Sequence, residues 1–155
     1  MHTSYNNKFV KFIKNHNIKI KTAAKWLGVK HASLHNKLWR IKHTKNNKLI
    51  NINYGTYIML IHGYKKYLES KLDKINVEPS FFIDFNTKKY FKSFIKKYEI
   101  DIKFVAKLSG YYYSSLRSNN TRLKGSVMDL IISRLKEHFN EELNLVNEEI
   151  KKIDI

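Results

Sequence analysis

Apolar positions in this chain recur at three- and four-residue steps, the spacing of one face of an α-helix. Phe9, Phe12, Ile13 and His16 form one such stripe and predict a helix over residues 6–16. Ala23, Ala24 and Leu27 predict a second over 21–27, Gly28-Val29-Lys30 turns the chain, and Leu34 with Leu38 predicts a third over 31–41. The segment His43-Thr44-Lys45-Asn46-Asn47-Lys48 is too hydrophilic to pack and reads as a loop. Beyond it, Thr56 is expected to cap a long helix over 55–73 that carries Tyr57, Ile58, Leu60, Ile61, Tyr64 and Leu68.

The same pattern then returns. Phe12-Ile13-Lys14, Ile18, Ile20, Ala24-Lys25, Gly28 and Ser33-Leu34 recur 82 residues later, without a gap, as Phe94-Ile95-Lys96, Ile100, Ile102, Ala106-Lys107, Gly110 and Ser115-Leu116. A constant offset over so long a stretch implies two copies of one structural unit. The second copy predicts helices over 88–98 and 102–109 and a third starting near Tyr112 or Tyr113. Gly125-Ser126-Val127-Met128 matches Gly55-Thr56-Tyr57-Ile58 at an offset of 70, which leaves the first copy twelve residues longer before its last helix. The expected fold is therefore all-α, with a first unit over 1–75, a linker over 76–86 and a second unit over 87–155. The linker holds the only proline, Pro79, beside Phe81, Phe82, Ile83 and Phe85, and so many aromatic side chains predict a packed segment.

The last helix departs from the rest. Its apolar stripe runs through Leu135, Phe139, Leu143, Val146, Ile150 and Ile153, and Glu137, Glu141, Glu142, Glu148 and Glu149 make it acidic. Steps of four and three resemble a coiled-coil seam, which points to a homodimer formed through Leu135, Phe139, Leu143, Val146 and Ile150.

Charge narrows the partner. The chain of 155 residues carries a formal net charge of +17, and residues 1–68 hold fourteen Lys or Arg and no Asp or Glu. A genome rich in A and T inflates Lys, Asn and Ile, but the same bias raises Glu and Asp, so it does not explain their absence. A field of one sign over a whole unit concentrates polyanions and releases counterions when phosphates bind. Nucleic acid is the partner expected, ahead of anionic membranes and acidic proteins. With 43% apolar residues there is material for a core, and without cysteine there are no disulfides or thiolate sites. No stretch reads as a signal peptide or a membrane span, and a cytoplasmic location fits.

In both copies an Ala lies four residues before a Gly and a Leu six residues after it. The Ala lets two helices approach, the Gly makes the turn, and the Leu anchors the second helix on the first. Lys21-Thr22-Ala23-Ala24-Lys25-Trp26-Leu27-Gly28-Val29-Lys30-His31-Ala32-Ser33-Leu34 resembles the helix-turn-helix of the lambda-repressor and Cro-like DNA-binding family, and residues 105–116 are similar to it. The resemblance implies two tandem helix-turn-helix units and a repressor, of the kind phages and mobile elements encode, that sets its third helix in the major groove of double-stranded DNA. Two such helices would address half-sites about 34 Å apart. Where the family has an apolar residue three after the anchoring Leu, this chain has Lys37 and Asn119; Leu38 and Trp39 are expected to compensate in the first copy, and Ser118-Asn119-Asn120-Thr121 to shorten the helix in the second.

On this match the residues facing base edges are Lys30, His31, Ala32, His35 and Asn36 in the first copy and Tyr112, Tyr113, Ser114, Arg117 and Ser118 in the second. Asn36 suits adenine, Lys30 and His35 suit guanine, and the Ala32 methyl suits thymine. Three consecutive tyrosines suit unpaired bases or a protein interface better than a groove. Lys19, Lys21, Lys25, Arg40, Lys42, Lys45, Lys48, Arg122 and Lys124 are the expected phosphate contacts, which position without specifying. His31 and His35 have the spacing of a chelating pair, but no third ligand stands near them in sequence, so no metal is expected. No cofactor motif or catalytic constellation stands out, and an enzyme is not expected. The competing reading is a protein that binds RNA or a ribonucleoprotein, such as a phage-encoded inhibitor of a host nuclease complex. A third reading gives the second copy to dimerisation or effector contact.

Overall fold

Buried and exposed positions alternate among the described residues at helical spacing. The computed structural model describes residues 5–43, 51–76 and 87–153, and among them there are eight α-helices and no strand. They are α1 (Asn6–Asn15), α2 (Ile20–Leu27), α3 (His31–His43), α4 (Tyr54–Asn76), α5 (Lys88–Tyr98), α6 (Ile102–Ser109), α7 (Tyr113–Arg117) and α8 (Gly125–Ile153). None of the described helices is long and apolar enough to cross a membrane. The expected aromatic linker, with Phe81, Phe82, Ile83 and Phe85, lies outside the described residues, as do Lys45 and Lys48.

Two compact units emerge, the first comprising Met1–Tyr67 with Leu145–Ile155, the second Leu68–Asn144. Sequence repetition divides the chain at the linker, whereas compactness divides it within α4 and α8. The last turns of α4 belong to the second unit and the last turns of α8 to the first.

The duplication extends to the backbone. Tyr5 N–H donates to Ile52 O at 3.0 Å and Thr87 N–H donates to Leu123 O at 2.9 Å, so each copy ties the start of its first helix to the strand of chain leading into its last. The first helix of each copy is followed by a left-handed residue, Asn17 at φ 50° and Glu99 at φ 53°, and in each the next N–H reaches back to an isoleucine carbonyl, Ile13 or Ile95. The last helices correct the sequence register. Adding 71 rather than 70 carries Tyr57, Leu60, Ile61, Tyr64, Leu68 and Ile75 onto Met128, Ile131, Ile132, Leu135, Phe139 and Val146, all buried. An offset of 70 would pair buried Leu60 and Ile75 with exposed Leu130 and Leu145. The glycines that suggested 70 are not equivalent, since Gly55 is exposed and Gly125 buried. The first copy is therefore eleven residues longer between third and last helices, not twelve.

In the first unit the core is aromatic. Tyr5 stacks on Tyr57, Phe12 meets the edges of Tyr57 and Tyr64, and His16 lies 5.0 Å from Tyr64 between ring centres. Trp26 of α2 packs against Tyr64 and Tyr67 of α4. The Tyr57 hydroxyl donates to Glu149 Oε1 at 3.0 Å, and burial together with that carboxylate raises the phenol well above its usual 10. Thr56 is not the cap of α4: the helix starts earlier, at Tyr54, and Asn53 Oδ1 accepts the Thr56 N–H at 2.8 Å.

The second unit is built on Phe91, Phe94, Tyr98, Val105, Leu116 and Ile131, all buried. Lys71 Nζ donates to Tyr98 O at 2.9 Å and lies 5.6 Å from the ring centre. The stripe of α8 serves the chain's own core: Leu135, Phe139 and Val146 are buried, and Leu143 and Ile150 are half-buried.

Gly63 sets how closely α4 approaches α2, because a Cβ at this position would stand 2.8 Å from both Cβ and Cγ of Trp26. Alanine is favoured over glycine inside a helix by about 1 kcal/mol. Overpacking against an indole costs about 1–3 kcal/mol. Gly63→Ala should therefore lower the thermal midpoint followed by circular dichroism. A variant as stable as the parent would show that Trp26 yields freely.

Candidate nucleic-acid interface

The surface with the right chemistry is built by α2 and α3, which pack on one another across residues 28–30. Gly28 ends α2 in the left-handed conformation, at φ 68°, where a side chain is strained. Val29 N–H then reaches back to Ala24 O at 3.0 Å and closes the turn. Ala23 and Ala24 are buried, and their small side chains allow the helices to approach until Leu34 is enclosed.

α3 commits only a narrow stripe to this contact. Leu34 and Ile41 are buried and Leu38 half-buried; every other residue of α3 is exposed. At 100° per residue the direction opposite this stripe is held by Ala32, Asn36, Trp39 and His43, flanked by His35 and Arg40. His31 lies at the side and Lys30 just ahead of the helix, both exposed. The base-facing set expected in the first copy is thus brought onto one exposed element. Trp39 is not the compensating anchor expected: it is 55% exposed and sits 4.6 Å from His43 between ring centres. Five residues beyond Leu34, it points about 140° away from it, an arithmetic that the sequence alone supplies. Ile41, seven residues on, is the anchor instead.

Cations surround this helix. Lys19, Lys21 and Lys25 on or before α2, and Arg40 and Lys42 on α3, are all exposed. Among the described residues, carboxylates enter the first unit only through α8, where Glu149 accepts from Tyr57 and Glu148 lies 3.7 Å from Lys151. The His31 and His35 rings are 6.1 Å apart, and no third His, Cys, Asp or Glu joins them among the described residues.

The second copy keeps the turn and loses the helix. Gly110 repeats the left-handed cap at φ 74°, and α6 packs on α7, but α7 stops after five residues. Tyr113, Ser114 and Arg117 are exposed on it, Tyr112 precedes it, and half-buried Ser118 ends it. Arg122 and Lys124 are exposed in the segment before α8. The stop is stabilised by two lysines that sequence reasoning passed over. A helix leaves its last four carbonyls without intrahelical donors. Here Ser118 N–H donates to Ser114 O, Lys88 Nζ to Ser115 O and Leu116 O, and Lys92 Nζ to Arg117 O at 2.7 Å. The equivalent positions in the first copy are Asn6, whose Oδ1 accepts from Ile52 N–H, and Val10. A lysine in place of each was the signal available in the sequence.

No family model matches the chain, and neither a curated protein nor a solved structure matches it.

Burial holds the Lys88 ammonium below its usual 10.5, with Lys92 adding to the effect. A lysine whose folded value is lowered disfavours the fold while charged, and stability rises as pH climbs through that value toward 10.5. Lys88→Met should cost about 1–3 kcal/mol near neutral pH by orphaning two carbonyls. In urea unfolding followed over pH, the deficit should widen toward pH 10.5. The raised Tyr57 has the opposite sign, its contribution being full below pH 10 and lost above it, but it is common to both proteins and cancels in the difference. A deficit that is absent or shrinks with pH would remove Lys88 from this role.

Proposed function

We propose that the protein is a DNA-binding regulator that sets α3 in the major groove of double-stranded DNA. The observation that carries this reading is the exposure of α3 on every side but one: a helix of thirteen residues, about 20 Å long, bearing Ala32, His35, Asn36 and Arg40 outward within a field of lysines. A helix of that length reaches along a groove about 12 Å wide. Lys21 and Lys25 on α2 are placed on the same packed helix pair, where phosphate contacts position a recognition helix. The resemblance to lambda-repressor and Cro-like proteins extends the reading to transcriptional repression in a phage or mobile element.

Selection from a random duplex pool tests it. A defined preferred site should emerge, and Asn36→Ala should lose about 1–3 kcal/mol of discrimination at one position of that site while binding random duplex as before. Lys25→Ala should weaken binding to all sequences alike and reduce the slope of log affinity against log salt by about one. Indifference to duplex at low ionic strength would end the reading, and unchanged discrimination in Asn36→Ala would remove α3 as the reader.

A further inference from the structure

Two copies of one scaffold let each position in the second unit be compared with its counterpart in the first. On α6, Lys103 and Lys107 stand where α2 has Lys21 and Lys25, all four exposed. The cationic flank is thus retained. What changes is the element beside it: Lys30 and His31 become Tyr112 and Tyr113, His35 becomes Arg117, and thirteen helical residues shrink to five. A five-residue helix spans about 7–8 Å, too short to follow a groove. Tyr112 is 77% exposed and Tyr113 36%.

We propose that the second unit holds a binding site for unpaired nucleotides, with Tyr112 and Tyr113 stacking bases and Lys103, Lys107 and Arg117 gripping the phosphates. An aromatic face in solvent offers apolar area that every base can cover whatever its identity, and neighbouring cations supply the attraction along the backbone. Lys103 Nζ already lies 5.8 Å from the centre of the Tyr113 ring, so cation and aromatic face belong to one surface. The nearest carboxylate in sequence, Asp101, accepts the Lys103 N–H at 3.0 Å as the cap of α6. Lys88 and Lys92 are tied to the end of α7 and hold its short form in place. This site does not depend on duplex reading by α3.

Fluorescence anisotropy on the full chain, with labelled oligo-dT, oligo-rU and a hairpin duplex, tests the proposal. Both single strands should bind at low ionic strength, and Tyr112→Ala combined with Tyr113→Ala should weaken that binding by about tenfold or more. The same variant should bind the hairpin as the parent does, and Tyr112→Phe should restore single-strand affinity. A preference for oligo-dT or oligo-rU identifies DNA or RNA as the source of the strand. Because Tyr112 is 77% exposed, Tyr112→Ala alone should keep the parent's thermal midpoint while weakening single-strand binding. Absence of single-strand binding, an unchanged affinity in the double variant, or an equal loss on the hairpin would each overturn the site. Asn36→Ala separates the two readings, since it acts on duplex discrimination and leaves oligo-dT binding alone.

Discussion

The close contact between α2 and α3 is the constraint from which the functional surface follows. Ala23 and Ala24 let the helices approach until Leu34 is enclosed, a burial that contributes about 1.5–3 kcal/mol. With the anchor so compact, Leu38 and Ile41 complete the attachment and the remainder of α3 stays in solvent. A helix held by a wide face would be stable but would have nothing left to present. Gly28 matters for the same reason, because its left-handed backbone redirects the chain within three residues and keeps the pair together.

The second unit shows what happens when the scaffold is kept and the presented element is changed. Buried Val105 and Leu116 occupy the positions of Ala23 and Leu34, and Gly110 repeats the turn. Beyond Arg117 the chain leaves the helical path, and its terminal carbonyls become the problem the fold has to solve. Lys88 and Lys92 solve it from α5, at the cost of desolvating an ammonium. A short helix maintained against that cost is a built feature rather than a frayed end. This gives weight to the exposed tyrosines at its start.

The helices, their order and the two glycine turns were legible in the sequence because each is a local matter of periodicity and backbone conformation. The register of the last helices was not, because Gly55 and Gly125 look alike as letters and differ in burial. Only the side chains that fill the core, such as Tyr57 with Met128, fix the offset at 71. Trp39 shows the reverse case. Its size suggested an anchor, yet the angular position that sends it into solvent was available from residue numbers alone. The roles of Lys88 and Lys92 were hidden because a lysine in a basic chain reads as surface charge, and only tertiary structure brings it to a carbonyl 27 or 25 residues away. The stripe of α8 could not assign its partner from sequence, because a seam between copies and a helix packed on its own chain share one period.

A cationic unit also has to resist its own repulsion, since a field of one sign weakens the compact state. The first unit meets this with aromatic area and with the few carboxylates near the end of α8. Glu149 takes the hydroxyl of Tyr57, whose ring stacks on Tyr5 and meets the edge of Phe12. The compensating charge is thereby attached to α1 and α4 through a buried phenol. It is not placed on α3, where the outward residues are Ala32, Asn36, Trp39 and His43. The carboxylate that offsets part of the unit's positive charge is thus held by the aromatic core, and the exposed side of α3 carries no acidic residue.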